Sequence, residues 1–143
     1  MMDKKSLRIL LVEDAEFEAE ITKRALSGCD FENSMTRVAS GEDALSYLRR
    51  EPGYEDVAMP HLVLLDLNLP RMTGRDVLRE IRNDPSLAHL FVIICSASDE
   101  PSEVTKAYQA TANAYITKPL GLGPLREMMN KVGDFLLNVV KIP

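Results

Sequence analysis

Five short apolar runs, each followed by a segment of helical periodicity, constrain the fold of this chain more than any other feature. The runs are RILLV (8–12), SMTRV (34–38), LVLLD (62–66), FVIIC (91–95) and AYI (114–116). A short continuous apolar run between turn signals marks a strand covered on both faces. SMTRV differs, because Met35 and Arg37 alternate with Thr36 and Val38, and it is expected nearer an edge. Helices are expected between and after the strands. The first, 16–26, places Phe17, Ile21 and Ala25 at i, i+4 and i+8 and stops at Gly28. The second, 40–50, opens on Ser40 with Asp43 three residues on, a capping-box-like start, and carries Ala44, Leu45 and Leu48. The third, 74–82, carries Val77, Leu78 and Ile81. The fourth, 99–110, has Pro101 in its first turn and Val104 and Tyr108 on one face. The last is one long helix, 123–141, with Leu125, Met128, Met129, Val132, Leu136 and Val139. Strand–helix alternation of this kind predicts an open, parallel, doubly wound α/β sheet with helices on both faces. At 143 residues the chain is expected to form a single domain, with a core from about 7 to 140.

Composition narrows the function. A net charge of −5 disfavours non-specific nucleic-acid binding, which needs a basic face, so no nucleic-acid partner is expected. No apolar run reaches the ~20 residues of a membrane span, so no membrane role is expected either. The N-terminal apolar run, Leu7 to Val12, is too short for a signal peptide. The two cysteines, Cys29 and Cys95, have neither metal-ligand nor redox spacing, which suits reduced thiols in a cytoplasmic protein. His61 and His89 have no partner at ligand or triad spacing. No glycine-rich phosphate loop is present.

In doubly wound sheets, ligands bind beyond the carboxyl ends of the strands, near the point where strand order reverses. The residues at those ends are therefore decisive. The first strand is followed by Glu13 and Asp14, the third ends on Asp66, the fourth is followed by Ser96, and the fifth by Thr117, Lys118 and Pro119. The second contributes nothing comparable. Three carboxylates, a hydroxyl and a lysine are thus expected on one edge. Close carboxylates repel, and a hard divalent cation with oxygen ligands relieves that repulsion. A lysine and a hydroxyl opposite such a cation make a cradle for phosphoryl oxygens. Asp66 is then both metal ligand and nucleophile, and a carboxylate can carry a covalent phosphoryl group. Each residue also has a plainer role open to it: Asp66 as a turn aspartate, Glu13 and Asp14 as first-turn acids of a helix, Ser96 as a cap, and Lys118 on the surface.

The set LLVED (10–14), LLDLNLPRMTG (64–74), CSAS (95–98) and YITKP (115–119), in this order and spacing, resembles the receiver domain of bacterial response regulators, the chemotaxis-regulator-like family. The resemblance runs from about Leu7 to the last helix. It implies a flavodoxin-like (βα)5 fold with strand order 2-1-3-4-5. It also implies that Asp66 accepts a phosphoryl group from a phosphohistidine on a sensor histidine kinase or a phosphotransfer protein. Mg2+ would be held by Asp14 and Asp66 directly, by Glu13 through water, and by the backbone carbonyl of Asn68. Ser96 and Lys118 would hold phosphoryl oxygens. A cis peptide before Pro119 would aim Lys118 inward. Ser96 and Tyr115 would form a switch acting on the surface of helix 4, strand 5 and helix 5. Asn68 and Ser98 would tune dephosphorylation toward a moderately short-lived phosphoryl group.

The chain is similar in DLNLPR, NDPSLAHL and SASDE to small stand-alone regulators that serve phytochrome-type kinases and pair through the fourth and fifth helices. A homodimer is therefore an expectation, and so is leftover apolar surface on the last helix. Five strand–helix units fill the chain, so output through protein contact or a relay is expected rather than through a DNA-binding domain. One departure from the family is Thr111, where a glycine usually ends the fourth helix; that helix is expected to end differently here. Two alternatives stand beside this reading, an enzyme using the same site and an interaction module on the same fold. An aspartyl-nucleophile phosphatase needs an acid two residues past the nucleophile, where this chain has Asn68. A non-phosphorylated interaction module is expected to lack the acid pair, the aspartate or the lysine, and all are present.

Overall fold

The computed structural model describes residues 6–143. Its strands are β1 (Ser6–Val12), β2 (Glu32–Val38), β3 (Leu62–Leu65), β4 (Phe91–Ser96) and β5 (Ala114–Thr117). All neighbours pair in parallel, in the order β2-β1-β3-β4-β5. The helices are α1 (Glu16–Ser27), α2 (Gly41–Leu48), α3 (Gly74–Asn83), α4 (Pro101–Gln109) and α5 (Leu122–Asp134), the last continued by a π-helical turn at Phe135–Val139.

The apolar runs divide by parity between two cores, because successive strand residues point to opposite faces. Leu62 and Leu64 of β3 join Ile9, Leu11, Ala25, Leu125 and Met129 under α1 and α5. Val63 and Leu65 join Leu10, Val12, Leu45, Leu78 and Ile94 under α2, α3 and α4. All four β3 residues are buried, as a central strand requires. β2 alternates between exposed and half-buried positions up to Arg37 and ends on buried Val38, as expected nearer an edge.

Capping explains several helix ends. Ser40 accepts the Asp43 N–H at the start of α2, and Thr73 and Asp76 form a full capping box on α3. Gly28 caps α1, with the Arg126 guanidinium occupying the space a β-carbon would need. At the end of α4, the Ala112 N–H donates to the Ala107 carbonyl and the Thr111 N–H to the Tyr108 carbonyl. Thr111 takes the left-handed conformation itself, at φ 68°. The helix therefore ends in the family's usual way without glycine, against the expectation, because two cap hydrogen bonds offset the cost of that backbone.

Three helical stripes differ from expectation. On α4 the buried residue is Ala107, while Tyr108 of the expected face is 49% exposed. Phe17 is 75% exposed, because α1 buries Ala19, Thr22, Ala25 and Leu26, and Phe17 lies roughly opposite that face. The last helix is not one regular element. Its α-helical part stops at Asp134, and the π-helical turn leaves Leu136 buried while Phe135 and Val139 are 46% and 66% exposed. Among the described residues no helix is long and apolar enough to cross a membrane.

Candidate functional site

The carboxyl edge of the sheet gathers the acids. β1 and β3 are neighbours there, and connections leave in opposite directions across them. The Asp66 N–H donates to the Val12 carbonyl, and the Glu13 N–H to the Val38 carbonyl. These bonds extend the ladder by one residue and fix where each acid begins. Carboxylate oxygens of Glu13, Asp14 and Asp66 all lie within 4.8 Å of one another. Glu13 is buried, Asp66 half-buried and Asp14 exposed. The site therefore grades from core to solvent.

Lys118 joins this group through Glu13. Its Nζ donates to Glu13 Oε1 at 2.6 Å, while Glu13 Oε2 accepts the Ala15 N–H at 3.3 Å. Burial opposes the charge on Lys118, but the Glu13 hydrogen bond and the charges of Glu13 and Asp66 outweigh it and raise its pKa. The Asp66 pKa is raised as well, which for a carboxyl disfavours the charged form. Burial first, then the Glu13 carboxylate, pushes its pKa up to about 6, with the Lys118 charge only partly countering. An all-oxygen cluster carrying that much repulsion suits a hard divalent cation.

Ser96 is fully buried at the end of β4, where its Oγ accepts the Ser98 N–H at 3.2 Å. Tyr115 is half-buried on β5, and its hydroxyl donates to the Ser98 carbonyl at 2.6 Å. Both proposed switch residues thus hold the same β4–α4 loop. The Asn68 N–H reaches toward Asp66 Oδ1 at 3.5 Å. Gly74 is required at the start of α3, because a β-carbon there would collide with the carbonyl oxygen of Asp66. Cys95, next to Ser96, is no rival nucleophile: burial pushes its thiol up to about 11. His61 is structural, its Nδ1 accepting the Arg8 N–H.

The Lys118–Pro119 bond corrects one expectation. It is trans, as are all peptide bonds among the described residues. The two isomers of a bond before proline differ by only about 0.5–1 kcal/mol, so local sequence does not dictate the choice. In the trans form the Lys118 N–H donates to the Ser96 carbonyl at 2.7 Å and the side chain still reaches Glu13.

Two residues at the site were not anticipated. Arg37 of β2 donates from Nε to the Glu13 carbonyl at 2.9 Å and from Nη2 to the Asp14 carbonyl at 3.0 Å. The second strand does contribute, by clamping the turn that carries two acids. Alternation along SMTRV pointed to an edge strand but gave no hint of this reach. Glu18 of α1 brings Oε2 to 3.7 Å from Lys118 Nζ. One helical turn past Asp14, its spacing is the signal that could have found it.

A flavodoxin-like fold with an aspartate, an acid pair and a lysine on its carboxyl edge defines a phosphoacceptor signalling domain. The chain belongs to the response regulator receiver domain family, whose model matches residues 9–130. It is 33% identical over 135 residues to the response regulator Rcp1 of Synechocystis sp., covering 94% of this chain and 92% of that one. The phosphorylated cyanobacterial phytochrome response regulator RcpA superposes with a TM-score of 0.89 at 34% identity, covering 97% of this chain and 99% of the other. The Mn2+-bound form of Rcp1 superposes with a TM-score of 0.84 at 32% identity, covering 96% and 99%.

Proposed function

We propose that Asp66 is the phosphoacceptor, charged by a phosphohistidine on a sensor histidine kinase or a phosphotransfer protein. The observation that carries this is the placement of a half-buried carboxylate, with its pKa raised to about 6, beside Glu13, Asp14 and Lys118 at the end of the central strand. In the transfer, an Asp66 oxygen bonds to phosphorus while the P–N bond breaks and the imidazole keeps the electron pair. Asp14 and Asp66 would hold Mg2+ directly, Glu13 through water, and Asn68 by its backbone carbonyl. The engagement of both Glu13 oxygens by Lys118 and Ala15 supports its indirect role. Bound Mg2+ would offset the carboxylate and phosphoryl charges. Lys118 moves from Glu13 to a phosphoryl oxygen, and the Ser96 hydroxyl leaves the Ser98 N–H to donate to another. Because Tyr115 grips the Ser98 carbonyl, that movement is passed to α4, β5 and α5. Water then releases orthophosphate, with Asn68 and Ser98 setting the lifetime; the chain catalyses both steps on itself.

The partner is a histidine kinase of the phytochrome type, which the likeness to Rcp1 and RcpA supports. The chain works as a single receiver domain in the cytoplasm, and it pairs through α4 and α5, with Phe135 and Val139 exposed on the π-helical turn that continues α5. Incubation with acetyl phosphate and Mg2+, followed by intact mass, tests the central point. A phosphoryl adduct that Asp66→Asn lacks is the expected result. An unmodified wild type, or an adduct that survives the substitution, overturns it.

A further inference from the structure

Lys118 serves two glutamates in this structure. Its ammonium lies 2.6 Å from Glu13 and 3.7 Å from Glu18, and among the described residues no ion pair joins it to Asp66. To hold a phosphoryl oxygen it must give up this arrangement. The two partners differ in kind. Glu13 is 2% exposed, accepts the Ala15 N–H and belongs to the acid cluster. The Glu18 side chain is 52% exposed, on the first turn of α1, outside the acid cluster. Water is its ready alternative partner, so Glu18 is the one that lets go at little cost.

We infer that Glu18 is a positioning residue that holds Lys118 in its resting place and so opposes capture of the phosphoryl group. Its attraction for Lys118 stabilises the state without phosphate and is lost as Lys118 swings to the phosphoryl oxygens. It therefore lowers the affinity of the site for a phosphoryl group without touching that group. This rests on the reading of Lys118 as a phosphoryl ligand.

Glu20 provides the matched control. It lies on the same helix with the same charge, but it pairs with Arg24 at 3.4 Å. Glu18→Gln and Glu20→Gln change net charge equally, and only the first removes the Lys118 contact. Beryllofluoride binding in saturating Mg2+, measured by titration calorimetry, reads the difference. Glu18→Gln should bind about two- to fivefold more tightly than Glu20→Gln, the range for an ion pair half-open to water. The advantage should shrink in high salt, and both variants should melt with the wild type, which a merely structural role would not give. Equal affinities of the two variants, or weaker binding by Glu18→Gln, overturn the inference while the wild type still binds. No binding by the wild type overturns the reading of the site itself, and the inference with it.

Discussion

Asp66→Asn should stabilise the metal-free protein at neutral and alkaline pH, although it removes the acceptor. The folded protein holds the Asp66 proton more tightly than an unfolded chain does, with a pKa of about 6 against 3.8. Between those values the native state binds more protons than the unfolded state, so stability falls as pH rises through that window. Above it, ionised Asp66 carries the whole penalty. The gap sets an upper bound of about 3 kcal/mol, and water at the open edge reduces it to roughly 1–2 kcal/mol. Asparagine keeps the shape and drops the charge. Urea unfolding without Mg2+ should therefore show the variant more stable by about that amount at mildly alkaline pH, or higher in melting temperature by a few degrees. The difference should fade on acidification through the same window. Adding Mg2+ should also narrow it, because the cation binds the native wild type more strongly. Equal stability at alkaline pH, or a gap that grows on acidification, would refute the claim that burial and the Glu13 charge penalise ionised Asp66.

Three further substitutions probe the frame around the site. Gly74→Ala places a β-carbon against the Asp66 carbonyl; urea unfolding should show a loss of about 1–3 kcal/mol, as for other overpacked positions. Thr111→Gly relieves a left-handed threonine and should raise the urea midpoint at unchanged slope, by about 0.5–1 kcal/mol. Arg37→Gln removes two charge-assisted bonds from the Glu13 and Asp14 carbonyls; it should cost about 1–2 kcal/mol and speed amide exchange in the turn at 13–15.

Period and punctuation are local properties, and they made most of the fold legible. The alternation of RILLV, LVLLD and FVIIC with helical stripes predicts β1, β3 and β4 close to where they lie, and Ser40 and Gly28 mark helix ends that the structure keeps. The acids, the serine and the lysine were legible for the same reason. A parallel sheet brings the carboxyl ends of its strands to one edge, so position along the chain becomes position in space. Phe17 was misassigned because an i, i+4 pattern defines a stripe without saying which side of the helix meets α5. The end of α5 was misread because the same apolar residues suit an α-helix or a π-helical turn.

By itself, then, the sequence determined the parallel sheet, its central buried strand and the residues at its carboxyl edge. Each follows from short-range spacing and from the demand that apolar runs be covered. The tertiary structure alone decided the partners. Lys118 rests on Glu13 and Glu18 rather than Asp66, Arg37 crosses from β2 to clamp the acid turn, and the bond before Pro119 is trans. These are choices between nearly equal local alternatives, settled by charges and carbonyls that lie far away along the chain and meet only when the sheet has formed.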